Sequence, residues 1–597
     1  MSAREGGTIP AAPDPTEVHA ALSEILVNAQ KALQTAAAQA FSPSAPLPYD
    51  PLAPMRTMAQ FGMTLLAQPH LLAEAQMRAW REWAALWTSA AGRNAGKDAA
   101  PFIETPRGDR RFSDPAWSEL PYFDLVRQTY LLAGKQLTGL VAGANLDDKT
   151  RTEMDFYLRQ FLNAVAPTNF LHTNPLVIRE TMSRGGVNLL NGFAKVLADV
   201  AEGKGLVRRH TTGDFEVGVT LAATAGAVVF ENELMQLIQY EPSTAKVSKR
   251  PILYVPPLVN KYYLLDLQPH TSLLKWLVDQ GHTVFVISWV NPDASLREKD
   301  LGDYIENGTM AAIGAIENAT GENQVDLMGF CLGGTLCAIT LGYLAATKQK
   351  NRVGSATLIG ALLDFSDLGE WSALLDEGQM AAFRRYLETR GYVEAHDLER
   401  LFSVVRSNDL IWSSVVNHYL LDRETPPSDI LYWFGDGARI PAAFLVSYAR
   451  DVLLGNGLTK AGGVTIKGVT IALGKVTTPV MMISLKDDHV SGWSATYTGA
   501  KLFGGPVQFV LGGSGHNAGV INPPAANKHG YWLNEALPGT AEEWLAGAAK
   551  KDGSWWAHWQ AWLKAQGDQT PAPARKIGSG TLKTIEPAPG RYVRVRH

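Results

Sequence analysis

Only two of the 597 residues are cysteines, Cys331 and Cys337, and one of them is framed for chemistry. Cys331 stands in Val325-Asp326-Leu327-Met328-Gly329-Phe330-Cys331-Leu332-Gly333-Gly334, an apolar run that turns through glycines into the helical pattern of 335–346. This is a nucleophile elbow with Cys in the place usually held by Ser. The flanking glycines permit the tight turn and let the helix pack close to the strand. The sulfur then sits at the positive end of a helix, which favours the thiolate. The backbone N–H of Leu332 would point at the same place and help stabilise an oxyanion. Gly512-Gly513-Ser514-Gly515-His516 offers no competing serine elbow, because its last position is His. Cys337 lies six residues on, about 240° around the helix axis, so the pair cannot form a disulfide and Cys337 reads as buried packing.

A Cys nucleophile needs a base and a group to orient it. In the α/β-hydrolase chain order the acid follows the nucleophile and the His comes last. The run 479–485 leads into Lys486-Asp487-Asp488-His489, and the run 507–511 leads into the glycine loop ending at His516. His516 is the candidate base, taking the Cys331 proton while a carboxylate orients its ring. Spacing alone leaves Asp487 and Asp488 both open; His489 reads as structural. A second oxyanion donor is expected from the loop Pro256-Pro257-Leu258-Val259-Asn260-Lys261-Tyr262-Tyr263, with the Val259 N–H as candidate. Lys261 is either a contact for a CoA phosphate or a structural lysine. No His-Glu-x-x-His, Cys-x-x-Cys or carboxylate cluster occurs, so neither a metal nor a bound cofactor is expected.

Cys in this position suits acyl transfer. Passing an acyl group from CoA to Cys331 exchanges one thioester for another and keeps the group activated until an alcohol attacks it. A Ser ester would discard that activation. The reasoning favours an acyltransferase. The alternative is a Cys hydrolase of the same fold, with water as acceptor.

These residues require a scaffold. Short apolar runs at 252–255, 284–288, 325–328, 356–359, 479–485 and 507–511 alternate with helical stretches, which predicts βαβ units and a mostly parallel sheet. Ahead of them, 215–221 and 227–230 alternate like a hairpin. Between 362 and about 476 the alternation lapses, as expected of a cap insertion over the carboxyl edge of the sheet. Helical periodicity fills 18–39, 55–68, 70–91, 122–141, 147–164 and 187–201. The expected fold is α/β: an α/β-hydrolase catalytic domain at 214–565 preceded by a mainly helical domain at 17–213. A disordered start at 1–16 and an extended tail at 566–597 complete the chain. Trp80, Trp83 and Trp87 share one helical stripe, read first as core-facing and otherwise as a docking face for a partner or lipid-like surface.

At this length two domains are expected. Hydrophobic residues make up 46% and charged residues 19%, enough apolar material for sizeable cores, and the net charge of -4 gives no basic excess for nucleic acid. MSAREGGTIPAAPDP lacks the apolar core of a signal peptide. The longest apolar run, 217–230, is 14 residues broken by Thr and Gly, too short for a transmembrane span. With no disulfide framework, a cytoplasmic, reducing location is expected.

The assembled motifs closely resemble class I polyhydroxyalkanoate synthases. The matching segments are PPLVNKYYLLDLQP, GHTVFVISWVNPDAS, GFCLGG and FVLGGSGHNAGVINPP, with NDLIWSSVVNHYLL, YWFGDG and EPAPGRYV in support. The resemblance runs from about residue 90 to the end. It implies that Cys331 carries the growing chain, His516 is the general base and Asp488 the third catalytic residue. Asp488 either orients His516 or helps activate the substrate's 3-hydroxyl. The implied substrate is (R)-3-hydroxyacyl-CoA, short-chain and chiefly 3-hydroxybutyryl-CoA, with CoA as leaving group. The implied partners are the polyester chain, the granule surface and a second subunit in a homodimer. The family's N-terminal helical domain is associated with dimer function and granule attachment. Beside the synthase stand two alternatives: a Cys-dependent acyl-CoA thioesterase or polyester depolymerase of the same fold, and a granule-coating scaffold with a dead site. One departure is Gly492 in Asp488-His489-Val490-Ser491-Gly492-Trp493, where close relatives carry Pro; it loosens the acid loop.

Overall fold

The computed structural model describes residues 14–40, 46–94, 100–202, 215–424, 426–567 and 570–596. The chain divides into two compact units. One holds the N-terminal part to Thr212 together with Gly369–Tyr386 and Arg400–Pro427; the other holds the remainder. The expected insertion at 362–476 is therefore shared between two bodies. The expected disordered start lies outside the described residues up to 13, and a helix already begins at Pro15.

The first unit is helical. Pro15–Ala40, Ala53–Leu66, Pro69–Asn94, Pro121–Gly143, Asp148–Ala164 and Val187–Ala201 cover the six predicted helices, and Pro175–Ser183 adds another. That extra helix starts where Asn174 caps the N–H groups of Leu176 and Val177 ahead of a Pro. The Trp stripe does not face a core. Trp80 and Trp87 are 72% and 58% exposed, and only Trp83 is drawn inward, its Nε1 donating to Gln136. Three residues spaced three and four apart share a helix face, but spacing does not say what that face meets.

The second unit is built on an eleven-stranded sheet. Its strands are β1 (Gly226–Glu231), β2 (Met235–Tyr240), β3 (Ile252–Val255), β4 (Val284–Trp289), β5 (Val325–Phe330), β6 (Val353–Ile359), β7 (Val480–Leu485) and β8 (Val507–Gly512). β9 (Tyr531–Leu533), β10 (Ala549–Lys551) and β11 (Glu586–Pro587) complete it. The order is β10-β9-β8-β7-β6-β5-β3-β4-β2-β1-β11, parallel from β4 to β8 and antiparallel outside that block. All six predicted runs are strands of this block, buried on both faces as parallel strands must be. Leu273, Leu274, Leu277 and the indoles of Trp555, Trp556 and Trp559 pack in the core against them.

Two expectations are corrected. Residues 215–221 are not the first arm of a hairpin: they turn back on themselves at Gly218, with φ of 91° and a Val217–Leu221 bridge. β1 pairs instead with β2. The tail is not merely extended. Glu586 and Pro587 pair with Val228 and Ala227, so the C-terminus covers the sheet edge, and Pro is tolerated there because an edge strand need not donate on both sides.

Candidate active site

The sheet switches direction at β3, whose next strand in sequence lies on one side and the following one on the other. Ligands of such sheets bind beyond the carboxyl ends of the strands at that point. β5 ends there at Phe330 and the helix Leu332–Ala346 begins, leaving Cys331 alone on the turn. Its φ of 54° and ψ of -126° are strained for a residue with a side chain. Backbone bonds hold it: Cys331 N–H donates to the Ile359 carbonyl at 2.8 Å, and its own carbonyl accepts from Gly334 at 2.9 Å. The glycines are required by contact. A Cβ on Gly333 would lie 2.1 Å from the Val255 oxygen, and one on Gly329 2.5 Å from the Gly333 oxygen. Small residues let the helix sit on β3 and β5 and so raise the Cys331 sulfur at the helix start.

His516 comes from the loop after β8 and Asp488 from the loop after β7. Their contact is direct, with His516 Nδ1 2.6 Å from Asp488 Oδ2. The other carboxylate oxygen accepts from the N–H groups of Val490 and Ser491, both at 2.8 Å, so the acid is anchored by one oxygen and presents the second to the ring. The Asp488 side chain is 0% exposed and that of His516 8%, whereas Asp487 and His489 point to the surface. Burial thus distinguishes two adjacent aspartates that spacing left equivalent. The His516 ring packs on Phe330 at 4.8 Å between centroids and is hydrogen-bonded to Cys331. Burial opposes its protonation, but the charges of Asp488 and Cys331 outweigh that and raise its pKa to about 10. The imidazole is built to hold a proton.

The five catalytic and oxyanion candidates do not all gather equally. Leu332 is the first residue of the helix after Cys331, so its N–H belongs to the unsatisfied first turn. Val259 lies in the loop after β3, where its carbonyl accepts from Ala438. Lys261 is structural. It is buried, its Nζ 2.5 Å from Asp436 Oδ1, while Tyr263 donates to the second oxygen of the same carboxylate. Two tyrosines escaped the sequence reading. The Tyr254 and Tyr448 phenols lie within electrostatic range of Cys331, and burial, reinforced by that sulfur, pushes both up, so both stay protonated. Tyr254 was hidden in an apolar strand run and Tyr448 in the irregular insertion. Among the described residues, no cluster of three or more His, Cys, Asp or Glu could hold a metal ion.

Residues 108–277 match the N-terminal region of poly-beta-hydroxybutyrate polymerases, and residues 265–523 match the alpha/beta hydrolase fold. A poly(3-hydroxyalkanoate) polymerase of Methylorubrum extorquens is 42% identical over 91% of this chain and 90% of its own length. This chain belongs to the poly(3-hydroxyalkanoate) polymerase family. The corresponding polymerase subunit of Cupriavidus necator is 40% identical over 88% of this chain and 89% of its own. Among solved structures, mouse alpha/beta hydrolase domain-containing protein 10 matches 49% of this chain and 93% of its own, at 16% identity and a TM-score of 0.29. The enzyme is an acyltransferase on an α/β-hydrolase scaffold. Among the described residues, no helix is long and apolar enough to cross a membrane.

Proposed function

We propose that this enzyme polymerises (R)-3-hydroxyacyl-CoA, chiefly the short-chain 3-hydroxybutyryl ester, through a thioester on Cys331. The observation that carries the reading is the line Cys331–His516–Asp488, hydrogen-bonded and set at the sheet's switch point, with His516 and Asp488 buried and Cys331 half-buried. The Cys331 sulfur attacks the substrate's thioester carbonyl while His516 takes the thiol proton. Asp488 holds the ring and offsets the imidazolium charge. The oxyanion forms against the Leu332 N–H and a second donor from the β3 loop, assigned to Val259. Collapse breaks the bond to CoA sulfur, and His516 returns the proton to the departing thiolate. A 3-hydroxyl then attacks the acyl-enzyme: its proton goes to His516, the ester bond forms, the bond to Cys331 breaks, and the proton returns to the Cys331 sulfur. The accumulating product is an insoluble polyester, which keeps the enzyme at a granule surface.

The test is CoA release from (R)-3-hydroxybutyryl-CoA by the purified enzyme, with the acyl product separated into soluble acid and insoluble polyester. Polyester formation lost in Cys331→Ala is expected. Release of free 3-hydroxybutyrate alone would reassign the enzyme as a thioesterase.

A further inference from the structure

A second feature of the same sheet edge recognises charge. β9 and β10 both reach the carboxyl edge of the parallel block: Tyr531 pairs with Gly512 of β8, and Lys551 with Tyr531. The turn before β9 and the residues around β10 enclose a shallow cavity of about 360 Å³, lined by Asn527, Lys528, His529, Gly530, Lys550, Asp552 and Gly553. Lys551 continues the strand beside it, and Lys486 approaches from the acid loop. The Lys486 ammonium sits 4.5 Å from the centre of the Trp532 ring and the Lys550 ammonium 5.4 Å from it. One indole thus meets two ammonium groups, and positive charge gathered in this way favours an anion. None of these four lysines has a carboxylate partner among the described residues. Of the residues lining the cavity Asp552 alone is acidic, in a chain whose net charge is -4.

We infer that this patch is a subsite for the phosphates of an acyl-CoA, with the 3′-phosphoadenosine end at Lys528 and Lys550 and the pantetheine arm running back to Cys331. The inference rests on the proposed acyl-CoA substrate. β9 is four strands from β5, which places the patch about 19 Å from the nucleophile along the sheet edge, a span suited to an extended pantetheine arm. The spacing is fixed, because Gly513 donates to the Gly530 carbonyl at 2.9 Å and Asn522 Nδ2 to that of Lys528 at 3.0 Å. Those bonds tie the lysine turn to the loop carrying His516. Lysine suits the task as a point charge for phosphate.

The test is the Lys528→Gln/Lys550→Gln double variant, assayed with (R)-3-hydroxybutyryl-CoA and with the pantetheine thioester of the same acid. For the CoA ester, KM should rise about tenfold at low salt, two exposed charge contacts being lost, with kcat within about twofold; KM for the pantetheine ester should not move. An equal change with both esters, or none with the CoA ester, overturns the subsite. If the wild type turns over neither ester, the polymerase reading falls separately, and calorimetry with adenosine 3′,5′-bisphosphate decides the subsite. Affinity about tenfold weaker in the double variant supports it; equal affinity, or no binding to the wild type, overturns it.

Discussion

Replacing Gly333 with Ala should disable the enzyme without touching a reacting group. The new Cβ would stand 2.1 Å from the Val255 oxygen and 2.8 Å from the Pro256 carbonyl carbon, both backbone atoms that cannot swing aside. Ordinary contact requires about 3.5 Å, so the helix carrying Cys331 must lift from β3 by more than 1 Å. Overpacking of that kind costs about 3 kcal/mol, a fall of about 5 °C in Tm. The catalytic loss should be larger in proportion, since a displacement of about 1 Å between nucleophile and base costs about a hundredfold in rate. Gly314→Ala is the control, because its Cβ would meet nothing nearer than the end of Arg352 at 3.6 Å. Differential scanning calorimetry and initial CoA release measure both effects. A Gly333→Ala enzyme within about 1 °C and twofold of wild type would refute the claim that close helix–strand contact sets the position of Cys331.

Asp488→Asn should lower kcat by about 10⁴ by removing the charge behind His516, while Asp487→Asn, at an exposed position, should stay within about twofold; steady-state kinetics separates the two. His516 gains proton affinity on folding, so its stabilising contribution is complete below about pH 6.5 and is lost as pH rises through about 10. Thermal unfolding should weaken across that window, and Asp488→Asn should flatten the decline. Lys261→Met removes the ammonium that faces the buried Asp436 carboxylate and should cost about 3–5 kcal/mol, read by denaturant unfolding, with KM for the CoA ester unchanged.

The chemistry was legible because it depends on local rules. A strand, a glycine-framed Cys and a helix form an elbow by short-range sterics, and a parallel block advertises itself through uninterrupted apolar runs. What escaped depends on partners far away in sequence. β2 is buried throughout, yet its sequence MQLIQY carries Gln236 and Gln239, which break any apolar pattern. Their amides are satisfied by Glu231 and the C-terminal segment: Gln236 donates to Glu231 and Glu586, and Gln239 accepts from Gly578. A tail rich in Pro and Gly gave no sign that it would supply those bonds. Asp487 and Asp488 likewise differ only in what the folded loop buries, and Lys261 only in its meeting Asp436, 175 residues away.

The most direct test of the central claim is acylation of Cys331 itself. Butyryl-CoA carries the thioester but no 3-hydroxyl, so it can load the nucleophile without supplying an acceptor for the next step. After brief incubation, intact-mass spectrometry should show one butyryl group per chain, peptide mapping should place it on Cys331, and Cys331→Ala should show none. An adduct on any other residue, or undiminished polyester synthesis by Cys331→Ala, would contradict the account.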